Sequence, residues 1–229
     1  TRYFVNNCDG FIAMSKTVLN DISKFSSTSN KAYSPHPMYE TYGKAVAKIE
    51  ARKKLGLDEK DKIVLFFGLI RHYKGLDILM EAMAHPSVKQ QNIKLLIAGE
   101  FYEDKQPYFD LIEKSGLKET VIMHDKFISN EDVKYYFCAS DLVAQTYRNA
   151  TNSGVTMVGY YYEKPMLVTD VGGLSELVPH KKIGYTVPID TFKISECILD
   201  YFENNREREF TENLKVEKAK YLWPTFINR

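Results

Sequence analysis

The sequence predicts an α/β protein of the Rossmann-like, doubly wound kind: a parallel sheet with helices on both faces. Three observations carry this. Short runs rich in Val, Ile, Leu and Phe recur from residue 60 onward. They alternate with stretches whose apolar residues return at helical spacing, so each strand must reach the next by a crossover and the sheet is buried on both sides. The loops that follow the runs carry Gly, Ser, Asn and cations, and ligands of such sheets bind beyond the carboxyl ends of the strands.

Residues 1–30 read as one strand and one helix. Gly10-Phe11-Ile12-Ala13-Met14-Ser15 is an apolar run closed by Ser, and Val18, Ile22 and Phe25 follow at helical spacing. A unit this small cannot bury a core of its own, so it must lean on something else or on a missing domain. Residues 31–60 read as a linker. Ser34-Pro35-His36-Pro37 turns the backbone away from helix, and a charged, partly helical segment runs from Lys44 up to Gly56.

Residues 61–204 form the ligand-binding domain in this reading. Strands are predicted at 63–67, 93–98, 121–127, 142–147, 165–171 and 184–187. Helix faces are marked by Leu76, Leu79, Met80 and Met83, by Tyr108, Leu111 and Ile112, and by Val133, Tyr136 and Phe137. Further helices are predicted at 154–162, at 174–178 and along Ile194, Ile198, Tyr201 and Phe202. Residues 205–229 read as a charged helical tail, with Trp223-Pro224 packing back on the core.

Composition narrows the function. Lys and Arg number 31 against 30 Asp and Glu, which leaves no basic excess for a nucleic-acid partner. The longest apolar run, 63–70, is far short of the roughly 18 residues that span a bilayer, and Thr1-Arg2-Tyr3 opens no signal-peptide core. Cys8, Cys138 and Cys197 are odd in number, far apart and without metal spacing. They are expected to be reduced, buried thiols, as in a cytoplasmic protein.

Four loops carry candidate chemistry. The first strand ends in Gly68-Leu69-Ile70-Arg71-His72-Tyr73-Lys74-Gly75, with a helix starting near Gly75. Arg71 can grip phosphate oxygens through paired N–H donors and Lys74 can act as a point charge beside a helix N-terminus; two solvated surface cations are the competing reading. Phe127-Ile128-Ser129 either sets backbone groups and a ring beside a flat base or is a strand end before the next helix cap. In the loop 147–155, Thr151, Asn152, Ser153, Gly154 and Val155 let a ligand approach the backbone and would face Arg71 and Lys74 across an anion cradle. A well-capped helix start explains the same residues. The Gly172-Gly173 pair opens another helix at the same sheet edge. Neither a G-x-G-x-x-G fingerprint nor a P-loop is present, so NAD binding has little support. No Asp-x-Asp metal motif appears either, and neither metal nor cofactor is expected.

Lys74-Gly75-Leu76-Asp77-Ile78-Leu79, the strand 95–99, and the stretch from Lys164-Pro165 through Asp170-Val171-Gly172-Gly173-Leu174-Ser175-Glu176 together resemble the retaining GT-B glycosyltransferases of the "glycosyl transferases group 1" set, family 4. The resemblance covers about residues 60–229, with the motifs in order. It implies the C-terminal domain of a GT-B fold, with residues 1–30 similar to the last strand and helix of the N-terminal domain and most of the acceptor-binding half absent. It also implies a nucleoside diphosphate-sugar donor held by Arg71 and Lys74 as the catalytic cations, with Gly68, Phe127, Ile128, residues 151–155, Gly172 and Gly173 binding the donor. The acceptor implied is a glycan or lipid-linked hydroxyl reached through the absent half, with possible peripheral contact at the cytoplasmic face of the membrane. The fragment alone is expected to bind donor weakly and turn over little. Two departures stand out. The family's Arg directly after the first Gly is Leu69 here, and the two carboxylates of its E-x7-E signature fall on Ala150 and Val158. A subset of the family shares the Ala-Thr-x-Ser-Gly-Val pattern, so the loop is read as a variant site. The alternatives are a catalytically inactive binding or regulatory domain, and another GT-B-fold enzyme such as a sugar-nucleotide epimerase.

Overall fold

The computed structural model describes residues 2–28 and 30–228, so Ser29 and the two terminal residues lie outside it. In order, α1 (Arg2–Asn6), β1 (Phe11–Ala13), α2 (Lys16–Ile22) and β2 (Lys31–Tyr33) precede α3 (Lys48–Leu55) and β3 (Lys62–Phe67). Then come α4 (Leu76–Met83), α5 (Pro86–Gln90), β4 (Ile93–Ala98), α6 (Gln106–Lys114), β5 (Val121–His124), α7 (Val133–Ala139) and β6 (Leu142–Gln145). The chain continues through α8 (Gly154–Tyr161), β7 (Met166–Thr169), α9 (Leu174–Leu177), β8 (Gly184–Val187), α10 (Thr191–Glu203), α11 (Glu207–Glu217) and α12 (Trp223–Ile227).

β3 to β8 form one six-stranded sheet in the order β5-β4-β3-β6-β7-β8, every pairing parallel. Successive residues of a strand point to opposite faces, and two cores follow from that. Leu65, Leu96, Val143 and Val168 join Ala51, Phe137 and Tyr160 on one face. Val64, Phe66, Leu95, Ile97 and Leu167 join Leu79 and Ile198 on the other. β3 lies between β4 and β6, so the connections leave in opposite directions on either side of the β3–β6 pair. That is the topological switch point, and a crevice is expected beyond the carboxyl ends of these two strands.

Six expectations are corrected. Residues 2–33 hold two helices and two strands, and β1 and β2 form a separate parallel pair, Phe11 opposite Lys31 and Ala13 opposite Tyr33. Within 31–60, residues 34–47 and 56–60 lack helix or strand. α3 belongs to the main unit: Ala51 is fully buried, and the Arg52 guanidinium donates to both oxygens of buried Asp141 at 3.1 and 3.3 Å. The predicted strand 121–127 stops at His124, because its partner ends at the pair Ala98–His124 and turns away at Gly99. Tyr221 rather than Trp223 packs back, its ring 4.5 Å from that of Tyr160, while Trp223 remains half exposed. Of the three free thiols only Cys138 is buried. Phe210 and Leu214 of α11 are core residues, so the 205–229 segment is more than a tail.

Candidate functional site

The loops after β3 and β6 are joined before any ligand is considered. Gly75 has φ +63 and approaches β6 so closely that a Cβ there would lie 2.0 Å from the Thr146 carbonyl oxygen. The Thr146 hydroxyl donates to the Gly75 carbonyl at 2.7 Å, and the Arg148 amide donates to the Tyr73 carbonyl at 2.7 Å. The Arg148 guanidinium then grips Asp77 with two N–H groups, at 2.8 and 2.6 Å, and the His72 carbonyl at 2.8 Å. Burial alone would raise the Asp77 carboxyl, but the Arg148 pair outweighs it and holds Asp77 below the ordinary carboxylate range. This two-pronged clamp fixes the 70–77 loop on the 146–148 loop.

The clamp presents Lys74. Its side chain is 8% exposed, and among the described residues its ammonium has no hydrogen bond and no salt bridge; it lies 5.8 Å from the centre of the Tyr147 ring. Burial, aided by the Arg71 charge, lowers Lys74 to about 8. The group faces a crevice of about 300 Å³ whose opposite wall is Asn152, Ser153, Gly154 and Val155. Ser153 is the N-cap of α8 without a side-chain cap, which leaves the first-turn amides at this wall of the crevice uncapped. A positive helix end and a buried ammonium across from it make a site for an anion.

A second groove of about 180 Å³ adjoins the first, sharing Phe67 and Tyr42, and is lined by Gly68, Phe127 and Ile128. Phe127 is 70% exposed and Ile128 is buried, which leaves an unoccupied ring face at the groove's rim.

The expected site residues therefore fall into three groups. Gly68, Lys74, Asn152, Ser153, Gly154 and Val155 meet at the crevice, where Gly68 has both Lys74 and Val155 within 4 Å of a built Cβ. Phe127 and Ile128 meet Gly68 at the adjoining groove. Thr151, Gly172 and Gly173 stand behind it. A Cβ on Gly172 (φ +52) would lie 1.5 Å from the Ala150 carbonyl oxygen, and one on Gly173 2.4 Å from that of Thr151, so this turn sets the course of the loop without lining the cavity. Arg71 is exposed and outside the crevice, its guanidinium 5.1 Å from the centre of the Tyr102 ring.

Sequence reading missed three contributors. Tyr39 and Tyr42 come from the segment read as linker. It folds back through the Met38 amide, which donates to the Tyr221 carbonyl at 2.7 Å, and through the Tyr162 hydroxyl, which donates to the Tyr42 and Gly43 carbonyls at 2.9 and 3.0 Å. Tyr39 lies on α8, 3.3 Å from where a Gly154 Cβ would be. Arg148 was visible in its loop, but its partner Asp77 is 71 positions away.

Known proteins resemble the chain over this same architecture. The family described as "Glycosyl transferases group 1" matches residues 47–217. An uncharacterized glycosyltransferase of Methanocaldococcus jannaschii is 29% identical over 188 residues, 77% of this chain and 45% of that one. A D-inositol 3-phosphate glycosyltransferase of Segniliparus rotundus is 30% identical over 61% of this chain and 32% of its own length. The chain thus spans less than half the length of these two curated relatives. Among solved structures, sucrose-phosphate synthase of Thermosynechococcus elongatus superposes with a TM-score of 0.85 at 21% identity, over 98% of this chain and 57% of that one. HepE of Anabaena, solved with UDP-glucose, gives 0.81 at 19%, over 96% and 62%. The C-terminal domain of a group 1 glycosyl transferase from Francisella tularensis gives 0.69 at 16%, over 80% and 97%. The fold is that of GT-B enzymes, and the chain belongs to the glycosyl transferases group 1 family.

Proposed function

We propose that the chain is the donor-binding half of a glycosyltransferase that moves a sugar from a nucleoside diphosphate to an acceptor hydroxyl with retention at the anomeric carbon. The observation that carries this reading is the buried Lys74 ammonium without an anionic partner, facing the open first turn of α8 at the switch point of the sheet. A buried charge left unpaired is costly, and a diphosphate supplies the missing counter-charge. The groove at Gly68, Phe127 and Ile128 takes the base, since it adjoins the crevice and offers an aromatic face. That HepE was solved with UDP-glucose supports the same class of donor.

In the transfer the bond between the anomeric carbon and the diphosphate oxygen breaks, and its electron pair leaves with the diphosphate. The acceptor oxygen bonds to the carbon and gives up its proton to the departing diphosphate oxygen. Negative charge grows on the diphosphate oxygens, and Lys74 with the α8 amides is placed to stabilise it. The acceptor, a glycan or lipid-linked hydroxyl, is bound by the rest of a longer protein at the cytoplasmic membrane face. No helix among the described residues is long and apolar enough to cross a membrane.

Calorimetric titration of the 229-residue chain with UDP, GDP, uridine and NADH tests this. One nucleoside diphosphate should bind measurably, and its nucleoside far more weakly. Equal affinity for UDP and uridine, or preference for NADH, would end the reading. The absence of carboxylates at Ala150 and Val158 favours a second reading, a binding domain without turnover. Assay of donor hydrolysis and transfer by the full-length protein separates the two.

The affinity should also depend on pH. An anion beside Lys74 favours its charged form, so binding above pH 8 requires uptake of a proton. Affinity for UDP is expected to be full below pH 8 and to fall as pH rises through it, by about tenfold near pH 9. A flat profile between about pH 7 and 9 contradicts a role for the Lys74 charge.

A further inference from the structure

The N-terminal unit, residues 2–33, has no share in either hydrophobic core of the main unit among the described residues. A polar contact ties it to the main unit. The contact sits at the start of α2, where Glu176 of α9 reaches across. Its Oε2 accepts from the Lys16 amide at 2.9 Å, and its Oε1 from the Thr17 amide at 3.1 Å and the Thr17 hydroxyl at 3.2 Å. The same hydroxyl also lies 3.4 Å from the Gly172 carbonyl. The Ser15 hydroxyl accepts from the Val18 amide, and the Ser15 carbonyl from that of Leu19. Three of the amides that a helix start leaves open, those of Lys16, Thr17 and Val18, are thus divided between the Ser15 cap and a carboxylate from another element.

We propose that Glu176 is the positioning residue that docks the N-terminal unit on the main unit, and that it does so on the turn that shapes the candidate site. A Cβ on Gly173 would lie 2.8 Å from the Ser15 Cβ and 2.4 Å from the Thr151 carbonyl oxygen. The start of α2, the 150–151 backbone and the 172–176 segment therefore meet at one junction. A carboxylate accepting from two backbone amides forms charge-assisted hydrogen bonds, among the stronger polar contacts available to a surface. The β1–β2 pair has two strands of three residues each. So small a sheet does not persist alone in water, which makes its survival a report on docking. The inference stands on these contacts and needs no bound donor.

Amide hydrogen exchange on the full 229-residue chain, without ligand, tests it. In Glu176→Ala the amides of Lys16 and Thr17 should exchange about tenfold faster or more. The Phe11 amide, bonded to the Asn30 carbonyl, and the Ser34 amide, bonded to that of Ala13, should quicken with them although neither touches Glu176. The Gly68 amide, held by the Ala98 carbonyl, should stay as in the wild type and show that the main unit is intact. Glu176→Gln keeps the size and one accepting oxygen and should fall between the two. Ser15→Ala should release Val18 and leave Phe11 and Ser34 protected. If Glu176→Ala and Glu176→Gln speed only Lys16 and Thr17, Glu176 is a helix cap and the docking role is overturned.

Discussion

Replacing Lys74 with methionine is expected to weaken UDP binding by roughly thirtyfold to several-hundredfold, about 2–4 kcal/mol, while making the free protein more stable. The two effects have one cause. The ammonium is buried without an anion, and burial lowers it from 10.5 to about 8. The unfolded chain therefore holds this proton more tightly than the folded one between those values. The penalty on the fold is complete below pH 8 and is relieved as pH rises toward 10.5; it is on the order of 3 kcal/mol. Methionine retains an apolar stem of similar length and removes the penalty. A thermal melt near pH 7 should show a higher Tm for the variant, with the gain shrinking as pH rises above about 8. Uridine affinity should change little, because the groove beside Phe127 is untouched. Arg71→Ala should weaken UDP binding only severalfold, since its guanidinium lies over Tyr102 and acts from outside the crevice. If Lys74→Met lowers stability and leaves UDP affinity alone, the ammonium is structural and the anion site is misplaced.

The contrast between Lys74 and Arg71 marks where the sequence stops being legible. Both follow a buried strand within the same loop, and both were expected to hold the diphosphate. What separates them is side-chain direction. A short 3-10 turn, His72–Lys74, carries Lys74 inward under Tyr147 and leaves Arg71 at its outer end. The sheet itself was legible because burial on both faces forces apolar runs, 63–67 in β3, 95–98 in β4 and 142–144 in β6. The expected strand 121–127 ran on through polar Asp125 and Lys126 past the point where β4 has already turned away, and strand ends depend on the partner rather than on the strand. Tyr39 and Tyr42 were hidden because the segment that carries them has no periodicity. Its path is set by distant acceptors and donors, the Tyr221 carbonyl and the Tyr162 hydroxyl. The Gly172-Gly173 pair was legible as a helix opening at the sheet edge, but the sequence could not say what it approaches. Gly172 and Gly173 turned out to meet the backbone of Ala150 and Thr151.

Gly75→Ala is expected to cost about 3 kcal/mol, which for a chain of this size lowers Tm by roughly 6–12 °C, and to abolish measurable UDP binding. The left-handed φ of +63 accounts for only part of this, about 1 kcal/mol for an L-residue. The remainder comes from contact. The new Cβ would lie 2.0 Å from the Thr146 oxygen and 3.1 Å from its carbonyl carbon, and both belong to backbone rather than to a side chain able to swing aside. Relief requires the two loops to part. That breaks the Thr146 hydroxyl bond to Gly75, the Arg148 amide bond to Tyr73 and the Arg148 grip on Asp77, and it carries Lys74 out of register with α8. Gly56→Ala is the internal control. Gly56 has φ +70 at the end of α3, yet a Cβ there would have open space within 4 Å. Its replacement should cost about 1 kcal/mol, the conformational part alone, and leave UDP affinity unchanged. The difference between the two melts measures the close approach of the β3 and β6 loops. If Gly75→Ala falls no further than Gly56→Ala, those loops do not touch, and the clamp that presents Lys74 to the crevice is not there.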